Sequence, residues 1–254
     1  MFIKNSFKNQ LFDIDENNFN NKALDLFFYQ AQRIEIYKAY IDSLKIDTNL
    51  ITHYTQIPFL PIGFFKNHQI IDPFETPKVI FKSSGTTGIV RSSHYVADPE
   101  FYKEVSRHIF EARFGPITNY NILAFLPSYQ ENSHSSLIFM IDYFLTLTDG
   151  GFVSKSEDFQ FFFKNSRQKI NLLFGVTYAL LDLETTVDLA NAIIIETGGM
   201  KGRGKELSRD EVHQILIERF GVKRVCAEYG MTELLSQAYS AGEGLFQTPR
   251  WMKF

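Results

Sequence analysis

The spacing of apolar residues predicts amphipathic helices in two parts of the chain. Between residues 20 and 45, apolar side chains recur three, four and seven positions apart, which is typical of one helix face. A second helix is predicted after Ser208, because Ser208 and Glu211 match a capping box and an apolar stripe follows them. Gly221 then ends this helix.

Between these two regions, short β-rich runs alternate with helical patterns. A helix is predicted to start with Asp98 as its cap and Pro99 at its first position, and to end near Gly115. Strands are predicted at residues 79–81, 121–126, 151–153, 170–175, 192–196 and 222–227. This alternation favours an α/β fold, with mostly parallel sheet layers flanked by helices.

The segment before the first predicted strand has a different character. Residues 56–71 read QIPFLPIGFFKNHQII, and Pro58 and Pro61 disfavour a regular helix, so we expect an extended, buried connector. Residues 72–77 contain two prolines and predict a loop.

Composition limits the class of protein. The chain has 254 residues, 44% of them hydrophobic and 22% charged, which is typical of a globular protein. Its net charge of -3 gives no reason to expect a nucleic-acid partner. No run approaches the roughly 18 apolar residues of a transmembrane segment. The single cysteine, Cys226, cannot form an internal disulfide, and the N-terminus lacks the apolar run of a secretion signal, so we expect a cytoplasmic protein.

One candidate for chemistry follows the first predicted strand. Glycines there let backbone N–H groups point into a concave nest, short hydroxyl groups add donors, and Arg91 supplies a positive charge. No Gly-Lys-Ser/Thr sequence ends the segment, which argues against a Walker loop. Taken alone, the segment fits either a phosphate-binding loop or a polar turn. Its residues are Ser83, Ser84, Gly85, Thr86, Thr87 and Gly88.

A second candidate ends the apolar run IIIETGG at residues 193–199. It places an acidic residue and two glycines at the edge where α/β sheets bind ligands, and a simple tight turn is the alternative. The residues concerned are Glu196, Thr197, Gly198 and Gly199. A basic run follows within nine residues and fits either an anion-binding segment or a solvated loop: Lys201, Arg203, Lys205 and Arg209.

The third candidate follows the last predicted strand, in the order Tyr229, Gly230, Met231, Thr232 and Glu233. An aromatic face can stack on a base, and a threonine hydroxyl can bond a phosphate oxygen. A carboxylate in the next position can hold a magnesium ion that already bridges phosphates.

Together the first and third candidates resemble the adenylate-forming superfamily, which includes acyl-CoA ligases, luciferases and peptide-synthetase adenylation domains. Its phosphate loop is close to Ser-Ser-Gly-Thr-Thr-Gly and its later motif is Tyr-Gly-x-Thr-Glu, and both match this chain. Within the superfamily, the chain resembles the long-chain fatty-acid protein ligases, or acyl-protein synthetases, of bacterial luminescence. The matching segments are IPFLPIGFFK, FKSSGTTG, ETGGMKGRGKELSRDEVH and EYGMTELLSQAYS.

The resemblance implies a large N-terminal domain of an adenylate-forming enzyme, with ATP and Mg²⁺ as cofactors. Residues 83–88 would hold the β- and γ-phosphates, while residues 196–199, Tyr229 and the adjoining Gly230 and Met231 would frame the adenine. Thr232 would contact the α-phosphate, and Glu233 would bind the metal. Arg91 lies where the family usually has a lysine, so the implied catalytic set is Thr232, Glu233 and Arg91.

The implied reaction activates a long-chain fatty acid as an acyl-adenylate and passes the acyl group to a thiol of an acceptor protein. An acyl-CoA reductase subunit is the candidate acceptor. Cys226 lies in an apolar strand, so we expect it to be a buried core residue rather than an acyl-carrying thiol. Aromatic and aliphatic residues either line the acyl pocket or belong to the core: Phe125, Leu126, Tyr129 and Phe139.

The chain also departs from the family it resembles. No Thr-Gly-Asp-like segment follows Glu233, so we expect the ribose-binding aspartate and the small C-terminal domain to be absent. The expected organisation is a helical segment and connector at residues 1–77, packing on an α/β nucleotide-binding part at residues 78–254. Three interpretations stay open: a fatty-acid protein ligase, an acyl-CoA ligase of the phenylacetate type, and a non-catalytic nucleotide- or acyl-binding remnant.

Overall fold

The computed structural model describes residues 4–84, 90–127, 134–154, 159, 169–184, 189–200, 207–242 and 244–253. The chain forms two compact units. The first comprises Met1–Phe101 and Thr248–Phe254, and the second comprises Tyr102–Gln247.

In the first unit, the described residues include the α-helices α1 (Lys4–Asn9), α2 (Phe19–Arg33) and α3 (Glu35–Ser43). The prediction of one continuous helix over residues 20–45 is therefore wrong, because Ile34 takes an extended conformation with φ -89° and ψ 103°. The break lets the apolar faces of both helices enter one buried cluster, which a straight helix would not allow. The cluster consists of Phe27, Ala31, Tyr37, Ile41, Ile51 and Ile57.

The connector at residues 56–71 also differs from its prediction. It contains a short 3-10 helix, Ile62–Lys66, because Pro61 precedes the first turn, where its missing N–H costs nothing. It is not buried throughout, since Phe59 is 69% exposed and Ile62 is 48% exposed. Residues 72–77 form a loop, as predicted, in which Asp72 accepts a hydrogen bond from the backbone of Phe74.

The first strands form a separate two-stranded sheet. Strand β1 (Val79–Lys82) pairs antiparallel with β2 (Ser93–Val96), and Lys82 lies opposite Ser93. The strand predicted at residues 79–81 is confirmed, but its placement in the main parallel sheet is wrong. The connection to β2 is too short for the crossover that parallel strands need.

The second unit is built on a seven-stranded sheet with the order β4-β3-β5-β6-β7-β8-β9. The first five strands in that order run parallel and the last two pair antiparallel, which confirms the predicted α/β class. Every residue of β3 is buried, as expected for a strand covered on both faces. The strands are β3 (Tyr120–Phe125), β4 (Gly151–Phe152), β5 (Ile170–Val176), β6 (Ile193–Thr197), β7 (Val225–Tyr229), β8 (Ala238–Ser240) and β9 (Phe246–Gln247).

Four described helices flank this sheet: α4 (Pro99–Phe114), α5 (Ser136–Thr146), α6 (Thr177–Asp182) and α7 (Arg209–Phe220). The boundaries of α4 and α7 agree with the sequence signals. Asp98 accepts a hydrogen bond from the backbone N–H of Phe101, and Ser208 and Glu211 form both bonds of the capping box. No helix in the described parts of the chain is long and apolar enough to cross a membrane.

The last predicted strand is shifted along the chain. The sequence predicts it at residues 222–227, but β7 spans Val225–Tyr229, so Tyr229 is a strand residue. The strand continues to Tyr229 because β8 pairs with this end, with Tyr229 opposite Ala238. Neither β8 nor β9 was predicted.

The capping box of α7 gives the first testable prediction. Replacing Ser208 by alanine removes the acceptor for the N–H of Glu211 and should lower the free energy of unfolding by about 1 kcal/mol. Urea denaturation measures this change, with Ser208→Thr as the matched control that keeps the hydroxyl group. Equal stabilities for the alanine and threonine variants would contradict the role of the cap.

Candidate functional site

The predicted phosphate loop follows β1 in the first unit, and two hydrogen bonds between Ser83 and Ser92 join its two ends. The backbone N–H of Ser83 donates to the carbonyl oxygen of Ser92 at 3.0 Å, and the N–H of Ser92 donates to the Ser83 hydroxyl oxygen at 3.0 Å. The Ser83 hydroxyl thus keeps its own proton for donation. Ser84 and Arg91 are both exposed, whereas Gly85, Thr86, Thr87 and Gly88 lie outside the described residues.

In the second unit, the other two predicted motifs lie side by side at the carboxyl ends of β6 and β7. These strands are parallel, and Glu196 lies opposite Ala227. The hydroxyl of Thr197, the last residue of β6, therefore reaches β7 and donates to the carboxyl group of Glu228. Both side chains are buried. Thr197 of the glycine motif is thus bonded to the residue that directly precedes the Tyr229–Glu233 motif.

Thr177 supports the glycine pair from the neighbouring strand. It is the first residue of α6, directly after β5, and its side chain is buried. Its hydroxyl lies 2.5 Å from Glu196 Oε2 and 3.0 Å from the carbonyl oxygen of Thr197, and it accepts from the N–H of Gly199 at 3.1 Å. One hydroxyl group therefore fixes the turn after β6.

The turn itself needs glycine. Gly198 has φ 79° and Gly199 has φ 62°, a backbone region that L-residues with side chains rarely adopt. Because neither residue has a side chain, this turn presents only backbone on its surface. A flat ligand can therefore approach the main chain closely.

The carboxylate of Glu196 is engaged inside the protein. Arg209 donates from Nε to Glu196 Oε1 at 3.1 Å, and the Nε2 of His213 lies 3.5 Å from the same oxygen, which is long for a hydrogen bond. Burial opposes ionisation, but His213, Thr177 and the positive charge of Arg209 outweigh it and lower the pKa of Glu196. Its role in the fold is to anchor the turn.

An aromatic corner adjoins the glycine turn. The ring of Tyr229 packs edge-on against Phe246, with 6.1 Å between centroids. The guanidinium carbon of Arg209 lies 4.7 Å from the Phe246 ring centroid. Tyr229 also donates from its hydroxyl to the sulfur of Met231 at 3.5 Å. Phe246 was not predicted as a site residue, and Arg209 was noted only as part of a basic run.

Thr232 and Glu233 occupy the centre of a turn that follows β7. The N–H of Leu234 donates to the carbonyl oxygen of Met231 at 3.1 Å, which closes a four-residue turn. Thr232 and Glu233 are both half-buried. Across the described parts of the chain, no group of three or more His, Cys, Asp or Glu side chains is placed to hold a metal ion.

Glu228 is a functional candidate that the sequence analysis missed. Its carboxyl group is buried on β7, and burial, reinforced by the nearby charge of Glu196, raises its pKa to about 7 even though Thr197 donates to it. A Cβ atom on Gly230 would lie 2.4 Å from Glu228 Oε1, so a larger residue there would displace the Glu228 carboxyl group. The signal was present in the sequence, because Glu228 is an acidic residue inside the apolar run VCAEY.

The apolar candidates fall mainly in the core. Cys226 is fully buried and burial raises the pKa of its thiol, so it is a core residue, as expected. Phe125 and Leu126 are also buried. Phe139 is half-buried and stacks on Tyr102 with 6.1 Å between centroids, while Tyr129 lies outside the described residues.

Comparison with known proteins gives only distant similarity. No family model matches the chain, and no curated protein matches it. Among solved structures, the chain is similar to coronafacic acid ligase from Pectobacterium brasiliense, with 15% identity and a TM-score of 0.36 over 54% of this chain and 27% of that enzyme. A single-substitution mutant form of that ligase gives 14% identity and a TM-score of 0.34 over the same shares. The chain thus spans about a quarter of each ligase.

Thr177 provides a direct test of the hydrogen-bond network. Thr177→Val removes the hydroxyl while keeping the shape, and it leaves the buried Glu196 and the N–H of Gly199 without this partner. We expect unfolding to become easier by about 1–3 kcal/mol in chemical denaturation. Thr177→Ser keeps the hydroxyl group and should therefore lose less stability to unfolding. A serine variant as unstable as the valine variant would show that methyl packing, not the network, matters.

The raised pKa of Glu228 predicts how stability depends on pH. The folded chain binds this proton more tightly than the unfolded chain. Its contribution to the free energy of unfolding is therefore fully present below pH 4.5 and is lost as pH rises through about 7. Relative to Glu228→Gln, which cannot ionise, the free energy of unfolding of the wild type should fall by on the order of 3 kcal/mol across this pH range. Denaturation at several pH values measures the difference. A difference that does not change with pH would contradict the raised pKa.

Proposed function

We propose that this chain forms the nucleotide-binding part of an ATP-dependent ligase. The ligase activates a long-chain fatty acid as an acyl-adenylate and then transfers the acyl group to a protein thiol. The main support is the placement of Tyr-Gly-Met-Thr-Glu at the end of β7, beside the glycine turn at the end of β6. Thr197, which precedes the turn, donates a hydrogen bond to Glu228, which precedes the motif. Two motifs far apart in sequence thus adjoin at the sheet edge where α/β proteins bind ligands.

In this proposal, the adenine lies against the backbone of Gly198 and Gly199 and the ring of Tyr229. The positive φ angles favour glycine at both positions, and because glycine has no side chain, this surface is backbone. Because the Glu196 carboxylate already binds Arg209 and Thr177, this segment contacts the base through its main chain. Phe246 supports the Tyr229 ring from its edge.

Thr232 and Glu233 act on the phosphates in the same proposal. The hydroxyl of Thr232 bonds an oxygen of the α-phosphate. Mg²⁺ is held in nucleotide sites by one or two carboxylates together with phosphate oxygens, and the half-buried Glu233 carboxylate in the turn fits that requirement. Bound there, the ion would neutralise charge on the phosphate oxygens.

The segment after β1 supplies the contacts to the β- and γ-phosphates. Ser83 keeps a hydroxyl proton for donation, and residues 84–88 continue with hydroxyl groups and glycines. Arg91 is exposed on the returning side of the hairpin loop, and we assign it to the departing pyrophosphate, in place of the usual lysine.

The chemistry requires two balanced steps. A carboxylate oxygen of the fatty acid attacks the α-phosphorus, the bond to the β-phosphate oxygen breaks, and pyrophosphate leaves with that electron pair. The acyl-adenylate is a mixed anhydride. A thiol of the acceptor protein, deprotonated as it attacks, then adds to the acyl carbonyl and AMP leaves, which gives a thioester.

ATP binding and acid-dependent pyrophosphate exchange test this function. We expect calorimetry to detect ATP binding in the presence of magnesium, and a long-chain fatty acid to stimulate exchange of labelled pyrophosphate into ATP. Glu233→Gln should reduce the exchange rate roughly 100-fold, because a metal ligand stabilises charge in the transition state by several kcal/mol. The matched control is Glu104→Gln, which changes an exposed carboxylate on α4.

The possible results separate the open interpretations. No ATP binding would overturn the proposal. Binding without exchange for any acid would identify a non-catalytic nucleotide-binding module. When exchange occurs, labelled acid is supplied with either coenzyme A or a candidate acceptor protein, and label released as acyl-CoA would favour the phenylacetate-type ligase over the protein ligase.

A further inference from the structure

Glu228 is a buried acidic residue, and burying a carboxyl group costs free energy. It is 7% exposed and lies between Thr197 on β6 and Tyr239, its cross-strand partner on β8. Its carboxyl group accepts a hydrogen bond from the neutral hydroxyl of Thr197. A buried carboxyl group without a paired cation is strongly penalised when ionised, which explains its pKa of about 7.

The two oxygens of Glu228 face the two halves of the candidate site. Oε2 accepts from Thr197, which directly precedes the glycine pair. Oε1 lies so close to Gly230 that an added Cβ atom would stand 2.4 Å from it. Gly230 directly follows Tyr229 and leads into the Met231–Leu234 turn. One side chain therefore contacts both glycine-containing segments.

We infer that Glu228 is the positioning residue of this site, whose buried carboxyl group holds the Gly198–Gly199 turn and the Tyr229–Gly230 segment in the arrangement that binds the nucleotide. This inference rests on the proposed nucleotide-binding function. Glu228 does not touch the ligand itself. It acts through Thr197 on β6 and through the packing of Gly230, which directly follows β7.

The titratable groups that face Glu228 favour its neutral form. Glu196 on β6 is ionised and repels a second negative charge. Tyr102 on α4 and Tyr239 on β8 face it as well, and burial together with the charge of Glu228 raises the pKa of both phenols. None of these three groups offers a positive charge. We expect the cost of burial and the repulsion from Glu196 to outweigh the hydrogen bond from Thr197, so that the ionised carboxylate moves away from Thr197 and Gly230.

Nucleotide affinity should consequently depend on pH. When only the protonated form is competent to bind, the apparent Kd equals the intrinsic Kd divided by the protonated fraction. With a pKa of about 7, the wild type should bind ATP about tenfold more weakly at pH 8 than at pH 6. Glu228→Gln is uncharged at both pH values, so its affinity should stay within about twofold.

Calorimetric titration of the 254-residue chain with ATP and magnesium at pH 6, 7 and 8 tests this inference. Glu228→Gln should match the wild type at pH 6 and bind more tightly than it at pH 8. Gly230→Ala, which displaces the carboxyl group, should weaken binding at every pH. Equal pH dependence in the wild type and Glu228→Gln would overturn the inference.

A ligand-free measurement separates this inference from the proposed function. Hydrogen exchange followed by mass spectrometry reports the protection of residues 193–200 and 228–234 without ATP. The wild type should lose protection in both segments between pH 6 and 8, after correction for the intrinsic rate, whereas Glu228→Gln should keep it. If the wild type loses protection in this way and ATP does not bind, only the proposed function is overturned. Unchanged protection in the wild type would overturn the positioning role, whether or not ATP binds.

Discussion

The parallel pairing of β5, β6 and β7 is the constraint on which the candidate site depends. In this register Val176 lies opposite Thr197, and Glu196 lies opposite Ala227, so the three strands end at the same edge within one or two residues of each other. The first residue beyond β5 is Thr177, which can therefore reach both Glu196 and Gly199. A shift of one residue in either pair would turn these side chains to the other face of the sheet.

Two buried glutamates on adjacent strands show how the same residue type can serve different purposes. Glu196 has Arg209, His213 and Thr177 around its carboxylate, and its pKa is lowered despite burial. Glu228 lies one strand away, receives a neutral hydroxyl, and has a raised pKa. The first arrangement stabilises a fixed negative charge, and the second favours a bound proton at neutral pH. Because the charge on Glu196 repels one on Glu228, the difference between them is partly self-reinforcing.

Local signals predicted much of the fold. The cap at Asp98 and the capping box at Ser208 are confirmed because they depend on residues a few positions apart. The break at Ile34 and the extra strand pairing at Tyr229 were missed, because both depend on packing against distant segments. The hairpin partner of β1 was missed for a different reason, because its four residues SHYV lack the alternation of apolar and polar side chains that predicts a strand.

The candidate site divides in a similar way. A resemblance between short motifs located the glycine pair and Tyr229 to Glu233, but it gave no information about the side chains beneath them. Thr177, Arg209 and Phe246 come from three other elements and join the site only through sheet register and packing. Glu228 adjoins a motif in sequence, yet its importance follows from burial and from Thr197, which is 31 residues away.

This division has a physical consequence for the proposed nucleotide site. The surface of the glycine turn is backbone, and the polar side chains that shape it lie beneath and are hydrogen-bonded in the free chain. Such a network must be satisfied in the free protein, because unpaired buried polar groups are costly. The free chain therefore already holds the turn in position, which lowers the ordering cost of binding. Substitutions of the buried polar side chains should change both stability and nucleotide affinity. Substitutions of the half-buried Glu233 should change affinity without a matching change in stability.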